Sequence, residues 1–457
     1  MVFTLDDLID ATGGRIINGK PTAVRFTGGA FDSRLVSSGE VFFALRDQRD
    51  GHEFVADAFA HGAAAAVVER PVDVAGDALV VQVGSSLGAL RALAERLRDR
   101  HPIPAVGVTG NVGKTTAKEA IAAALGARYR VLKTAASFNN EIGVPLTFLG
   151  LEPSHEVAVI ELGFYVSGEI ADLSRLVRPK VGVITRIPDR PVHFARTPSV
   201  EAIAAGKAEL IEALPSDGTA LLNADDPRVR GLAPRTKARV VLFGESEDAA
   251  LRATDVHAGG LAGLRFIATY QGERAEVSVP LPGRHVVVAA LAGLGSARAL
   301  GVPLEEAAVA LSTLERPRHR MEVRTGDRIT VIDDSYNASP AAVMAALAVL
   351  RAVRARRIAV IGDMLELGTM SADAHEEVGR EAARSADVLI GVGPLARTAV
   401  AAAKGSGLRE THAVADGAEA LVLLKRLQRP GDVVLVKGSH SLALDRLADA
   451  LVRPVAV

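Results

Sequence analysis

The chain has 457 residues, 49% hydrophobic but only 4% aromatic, with no tryptophan and no cysteine. That length exceeds one ordinary core, so two to four domains are expected, and the missing thiols exclude disulfides, thiolate zinc sites and cysteine nucleophiles. Lys+Arg 53 against Asp+Glu 54 leaves a formal charge of −1, so no global field favours nucleic acid or an anionic membrane as a partner.

The opening "MVFTLDDLIDATGG" has neither a basic start nor a long apolar run, and no secretory signal is expected. Next, "EVFFALR" (40–46) reads as a strand, and "FVADAFAHGAAAAVVE" (54–69) as a helix, a glycine and a buried strand. "LGALRALAERLRDRH" (87–101) has the period of an amphipathic helix, with charges gathered at its C-terminal end. "HPIP" (101–104) then breaks the pattern and marks a domain boundary.

From 105 onward short apolar runs alternate with helical patterns: "VAVIELG" (157–163), "VGVITRI" (181–187), "TALLNADD" (219–226) and "ARVVLFG" (238–244). Such alternation predicts a mostly parallel sheet covered by helices. "LRFIATYQGERAEVSVPLPG" (264–283) instead predicts an antiparallel hairpin about a polar "QGER" turn. The longest apolar stretches, such as Val286–Leu294, fall short of the roughly 20 residues that span a bilayer. A protein without membrane insertion, located in the cytoplasm, is therefore expected. After "ERPRHR" (315–320) a second alternating series begins, with "RITVIDDSY" (328–336), "RIAVIGDM" (357–364), "VLIGVG" (388–393) and "VVLVKGS" (433–439). It has no phosphate loop of its own and reads as a further domain joined through a hinge near 316–322.

The chemistry concentrates in "AVGVTGNVGKTTAKE" (105–119). A strand runs into Thr109, Gly110, Asn111, Val112, Gly113, Lys114, Thr115 and Thr116, and a helical pattern follows. Glycines let backbone N–H groups approach phosphates, a lysine reaches the terminal phosphates, and the first hydroxyl can ligate Mg²⁺. ATP is favoured over GTP, because no Asn-Lys-x-Asp guanine-reading motif is present. Glu161 closes the next apolar strand, where a metal-binding carboxylate is expected. His193, in the loop "IPDRPVHF", reads by itself as an ordinary exposed histidine. Lys207, in "IAAGKAEL", reads by itself as a snorkelling surface lysine. Three clusters, "VIDDSYNASP" (331–340), "VIGDMLELG" (360–368) and "VKGSHS" (436–441), place polar groups at strand ends, the usual lining of a ligand crevice.

Taken in order, "FDSRLVSSGEVFFAL", "DGHEF", "TGNVGKTTAKE", "NNEIGVPLTFL", "ELGFYVSGEI", "AGKAEL", "LNADDP", "PGRH", "HRMEV", "DDSYNASP", "GDMLELG" and "VKGSHS" resemble the Mur ligases of peptidoglycan synthesis over residues 31–441. "DDSYNASP" and "NNEIGVPLT" resemble their D-alanyl-D-alanine-adding branch specifically, and the Asp-Asn-Pro-Arg motif of the diaminopimelate-adding branch is absent. The resemblance implies an α/β protein of three domains. Residues 1–102 form a small mixed domain for the UDP end of a UDP-N-acetylmuramoyl-tripeptide, and 103–317 a central P-loop domain with helices on both faces of its sheet. Residues 318–457 form a Rossmann-like domain that closes on ATP and D-Ala-D-Ala.

The implied reaction is phosphorylation of the tripeptide carboxylate, attack by the D-Ala-D-Ala amine, and release of ADP and phosphate by a monomer. By the same resemblance Lys114 stabilises the γ-phosphoryl group, and Thr115 and Glu161 hold a first Mg²⁺. His193, 14 residues before Lys207, holds a second with the carbamylated lysine at 207. The resemblance further assigns Asn140, His285, Arg320, Asp334 and Asn337 to the nucleotide. It assigns Ser33, Arg34, Ala44, Leu45, Asp50 and His52 to the UDP side. Departures from the family's pattern fall at Asn111-Val112, Tyr165, Arg186, Val286, Ala289, His440 and the shortened run Ala44-Leu45-Arg46-Asp47. They bear on purine contacts and peptide specificity more than on carboxylate activation, and a diverged amide ligase with another acceptor is the alternative. The first-domain motifs argue against a polyglutamate-adding relative, and the retained Lys114 and Glu161 argue against a non-catalytic ATP-binding relative.

Overall fold

Three large β-sheets and a small two-stranded one, Phe3–Thr4 with Arg25–Phe26, organise the described residues. The computed structural model describes residues 3–20, 25–46, 49–187, 199–326 and 328–452. The first sheet has five strands in the order Arg15–Asn18, Val80–Gln82, Ala65–Val68, Glu40–Phe43 and Gly28–Ala30, parallel except for the first. Every residue of Ala65–Val68 is buried, which is why that strand appears as an unbroken apolar run.

Helix Ser86–Arg100 starts where Ser85 Oγ accepts from Gly88 N at 3.1 Å, and it buries Leu90, Leu93, Ala94 and Leu97 along one stripe. Its charged end is not simply solvated. Arg98 is buried, donating to His101 O at 3.1 Å and Val177 O at 3.2 Å, and burial pulls its pKa down to about 10. Leu90, Leu93 and Leu97 share one continuous core with Phe148, Leu149, Leu173 and Leu176 of the next block. The first two blocks are therefore joined by apolar packing.

The central sheet has nine strands, ordered Glu273–Val279, Leu264–Tyr270, Leu251–Ala258, Arg239–Gly244, Thr219–Asn223, Val181–Ile184, Ala105–Thr109, Val157–Glu161 and Val131–Lys133. The strands from Arg239–Gly244 to Val131–Lys133 are parallel. Register sets Glu161 beside Val108 and Ile184 beside Thr109, so strand ends from distant segments meet at one edge. The predicted hairpin is present, but its turn is shorter than the "QGER" expected. Tyr270 pairs with Glu273, which leaves Gln271 (φ 50°) and Gly272 (φ 85°) as a two-residue left-handed turn.

The apolar stretch at 286–294 lies within helix Val286–Ala299. It is buried against the helix that follows the phosphate loop, and a β-carbon at Gly293 would lie 2.7 Å from Ala120 O. Strands Val131–Lys133 and Leu251–Ala258 were not expected from the sequence; the first is short and the second mixes exposed and buried positions.

The third sheet runs Glu322–Thr325, Thr330–Asp333, Val433–Lys437, Arg357–Gly362, Val388–Val392 and Glu410–Val414, parallel except for its first strand. Each face carries its own core. The segment leading into it is held by polar contacts, with Arg316 Nε donating to Pro280 O at 2.9 Å, and it turns through left-handed residues His319 (φ 59°) and Met321 (φ 50°). Among the described residues no helix is long and apolar enough to cross a membrane.

Candidate active site

The phosphate loop leaves strand Ala105–Thr109 and enters helix Lys114–Leu125 through Gly113 at φ 84°. Thr109 Oγ1 donates to Leu162 O at 2.9 Å, and Asn111 N donates to Arg186 O at 2.8 Å. Thr185 Oγ1 donates to Val112 O at 2.8 Å, and Asn223 Nδ2 in turn donates to Thr185 O at 2.8 Å. The cradle is thus fastened to the neighbouring strand end. Gly110 has φ 145°, and a β-carbon there would collide with Thr185 Oγ1. Gly110→Ala is expected to cost about 1–3 kcal/mol of stability through overpacking and to weaken nucleotide binding. Thermal melting with and without ADP checks both effects.

The site is also shaped for phosphate and a hard cation. No β-carbon clash crowds Gly113, and Asn111 Oδ1 is buried without a hydrogen-bond partner among the described residues. Glu161 is 1% exposed. Its Oε2 accepts from Thr115 Oγ1 and its Oε1 from Asn139 Nδ2, each at 2.8 Å, while Glu161 N donates to Thr134 Oγ1 at 3.1 Å. A hydroxyl and a carboxylate oxygen side by side, beside a phosphate cradle, fit Mg²⁺. Desolvation pushes Lys114 below its ordinary value, Glu161 opposes that fall, and the nearby Arg320 charge adds to it.

Lys207 is not a surface lysine. It is 2% exposed, its Nζ lies 5.1 Å from the Phe164 ring centre, and that ring sits where a β-carbon at Gly206 would collide with it. Desolvation holds its pKa well below the ordinary 10.5, and the charge on Lys114 lowers it further. The folded chain then binds fewer protons at this group than the unfolded one, so this penalty shrinks as pH rises from the depressed value toward 10.5. In metal-free, CO₂-depleted buffer, Lys207→Met is expected to melt above the parent at neutral pH, with the gap narrowing at alkaline pH. A gap that widens with pH contradicts this. His193 lies outside the described residues.

Two of the third block's strand-end clusters, through Asp334 and Lys437, lie near His285 of the central block. Asp334 Oδ2 pairs with Lys437 Nζ at 2.6 Å and its Oδ1 accepts from Met321 N at 3.1 Å, while Lys437 also reaches Asn337 O at 2.9 Å. Ser439 Oγ accepts from Leu365 N at 3.0 Å, tying "VKGSHS" to "GDMLELG". The Arg320 guanidinium stacks 4.1 Å from the Tyr336 ring centre and donates to Ser137 Oγ at 3.2 Å, so it bridges to the central block. His285 stands at the start of helix Val286–Ala299. The residue is exposed, and the charges of Asp334 and Lys437 act on its imidazole in opposite directions. Asn337 is exposed, and its Oδ1 accepts from Ala338 N.

Of the two adjacent asparagines, Asn140 uses its Oδ1 to accept from Gly143 N at 2.9 Å at the head of helix Gly143–Leu149. Asn139 makes the contact with Glu161. Asn139, Thr185, Asn223 and Ser137 were not singled out as site residues from the sequence, because each acts through a partner far away in the chain.

On the first block, Ser33 Oγ donates to Asp57 Oδ2 at 2.5 Å, and Arg34 is exposed and pairs with Asp32 at 2.6 Å. Ala44 and Leu45 are buried, and Leu45 O accepts from Gly51 N at 2.8 Å. Asp50 Oδ2 accepts from Arg70 at 2.9 Å, and its Oδ1 faces His52 Nδ1 at 2.6 Å. Because His52 Nε2 accepts from Glu69 N at 2.8 Å, the ring proton on Nδ1 points to Asp50. The Arg70 and His52 contacts hold the Asp50 carboxyl far below the usual range. Ser33, Asp50 and His52 therefore build the shape of this face, and Arg34 is the member with its side chain toward solvent. Asp47 lies outside the described residues.

A phosphate loop, a buried metal-type carboxylate and a buried lysine at one sheet edge define a P-loop nucleotide-dependent enzyme. The Mur ligase middle domain matches residues 108–297, and the Mur ligase glutamate ligase domain matches 319–440. The UDP-N-acetylmuramoyl-tripeptide–D-alanyl-D-alanine ligases of Mycobacterium tuberculosis and Escherichia coli are 36% and 33% identical, each over 98% of both chains. Among solved structures, MurF from Acinetobacter baumannii superposes with a TM-score of 0.87 at 30% identity over 98% of both chains. MurF ligase from Thermotoga maritima in complex with ADP gives 0.78 at 27% identity, over 94% of this chain and 97% of that one. The chain belongs to the Mur ligase family.

Proposed function

We propose that the chain is an ATP-dependent, ADP-forming ligase that joins D-Ala-D-Ala to UDP-N-acetylmuramoyl-tripeptide. The observation that carries this reading is the Thr115–Glu161 oxygen pair, 2.8 Å apart, beside Lys114 and the buried Lys207 at the phosphate-loop edge. The division 1–102, 103–317 and 318–457 assigns the UDP end, ATP, and closure on ATP and the incoming dipeptide to successive blocks. The enzyme acts as a monomer in the cytoplasm.

In the first step a tripeptide carboxylate oxygen attacks the γ-phosphorus, the bond to the β-phosphate oxygen breaks, and ADP leaves. The amine lone pair of D-Ala-D-Ala then adds to the acyl carbon and the amine loses a proton. The tetrahedral intermediate expels phosphate as the amide forms. Lys114 faces the transferring phosphoryl group, where fixed positive charge counts most. Thr115 and Glu161 would hold a first Mg²⁺, and His193 with Lys207 a second. Bound Mg²⁺ supplies charge neutralisation at the phosphates.

Lys207 suits carbamylation, because desolvation lowers its pKa and so favours the neutral amine. A neutral amine adds to CO₂ and loses a proton, converting a cationic side chain into an anion. Arg320, Asp334, Asn337 and His285 approach the nucleotide from the cleft, with Asn140 at the loop beside Glu161. Ser33, Arg34, Ala44, Leu45, Asp50 and His52 shape the UDP side.

Phosphate release from ATP tests the reading. It is expected to need both UDP-N-acetylmuramoyl-tripeptide and D-Ala-D-Ala, and release that neither substrate stimulates overturns it.

A further inference from the structure

Lys118 is fully buried, carries a charge and has no part in the chemistry above. It lies one helical turn beyond Lys114 and Thr115, so it sits on the face that Thr115 turns toward Glu161. Its ammonium donates to Thr134 O at 2.6 Å and Ala136 O at 3.1 Å, and pairs with Glu119 Oε1 at 2.9 Å. Three N–H donors thus meet three acceptors, which is what a desolvated ammonium requires.

Both carbonyls belong to the loop that leaves strand Val131–Lys133. Ala136 in that loop holds φ 43°, a left-handed conformation that a β-carbon disfavours. The same loop holds Glu161 from two sides. Thr134 Oγ1 accepts from Glu161 N at 3.1 Å, and Asn139 Nδ2 donates to Glu161 Oε1 at 2.8 Å. The far end is closed by Gly163 N donating to Asn139 O at 2.7 Å.

We infer that Lys118 is a positioning residue for the metal carboxylate. It clamps the 134–139 loop in a strained shape, and the loop aims Glu161 at the cation. This rests on the reading of Glu161 as a Mg²⁺ ligand. Groups that touch a metal ligand typically change affinity about 10–100-fold when lost, and Lys118, one contact further out, is set at the lower end.

The test measures Mn²⁺, standing in for Mg²⁺, binding to the full chain saturated with ADP, read without turnover from the loss of the free-ion electron paramagnetic resonance signal. Lys118→Met is compared with Glu161→Gln and with Leu125→Ala, a buried change on the same helix away from the loop. The inference expects Glu161→Gln and Lys118→Met to weaken Mn²⁺ binding, the latter about tenfold, with Leu125→Ala at parental affinity. Weakening in Glu161→Gln but not in Lys118→Met overturns the role of Lys118 alone. No weakening in Glu161→Gln overturns the metal-ligand reading and this inference with it. Equal weakening in Leu125→Ala reduces the effect to general destabilisation and also overturns the inference. If Lys118→Met does not fold, Lys118→Gln, which keeps a donor but loses the charge, decides: a loss of about threefold or more supports the clamp, and parental affinity overturns it.

Discussion

Lys114→Met is expected to lower phosphate release by about 10²–10³-fold, falling mainly on kcat. The substitution keeps the length and apolar body of the side chain and removes its charge. Protein surroundings already depress the Lys114 pKa, against the pull of Glu161. A charge held in a partly desolvated place interacts strongly with a phosphoryl group in transfer. Gly113 and the backbone of the loop remain to bind ADP, so nucleotide affinity is expected to change far less than the rate. Steady-state ADP release and a parallel ADP titration separate the two. A variant within tenfold of the parent in kcat removes Lys114 from the transfer step.

Lys207→Ala is expected to lose activity on the same scale, about 10²–10³-fold, and to regain part of it in formate or acetate. The rescue is the informative half. A buried lysine packed on Phe164 could be lost for packing reasons alone, but an added carboxylate restores activity only where an anion is needed. Exhaustive removal of CO₂ from the parent enzyme should lower its rate reversibly. Full activity in the Ala variant contradicts the carbamate, and so does a loss that no short carboxylate relieves.

How far the sequence reached depended on whether a residue's role is local. The parallel inner strands were legible because both faces are covered, so Val157–Glu161 and Val181–Ile184 appear as apolar runs. Edge strands Glu322–Thr325 and Glu410–Val414 are only partly buried and carry mixed residues, so nothing in their pattern marks them. At the site, the Gly110 to Thr115 spacing and the strand-end position of Glu161 were readable, since loop, strand and helix follow one another in the chain. Thr185 was not, because its hydroxyl meets Val112 O across 73 positions. Nor does sequence separate Asn139, which meets Glu161, from Asn140, which accepts from Gly143 N. Lys207 shows the limit of residue type: taken alone a lysine reads as surface, whereas the Phe164 ring seated on Gly206 packs against it in the fold.

In the proposed reaction a carboxylate is activated by phosphorylation before the amine attacks. UDP-N-acetylmuramoyl-tripeptide carrying ¹⁸O in its reacting carboxylate tests this directly, with mass spectrometry of the phosphate released in the presence of ATP and D-Ala-D-Ala. The γ-phosphoryl group bonds to a carboxylate oxygen, and the later break falls between carbon and that oxygen. One labelled oxygen should therefore appear in each phosphate. Phosphate that carries no label while the amide product accumulates would contradict an acyl-phosphate route.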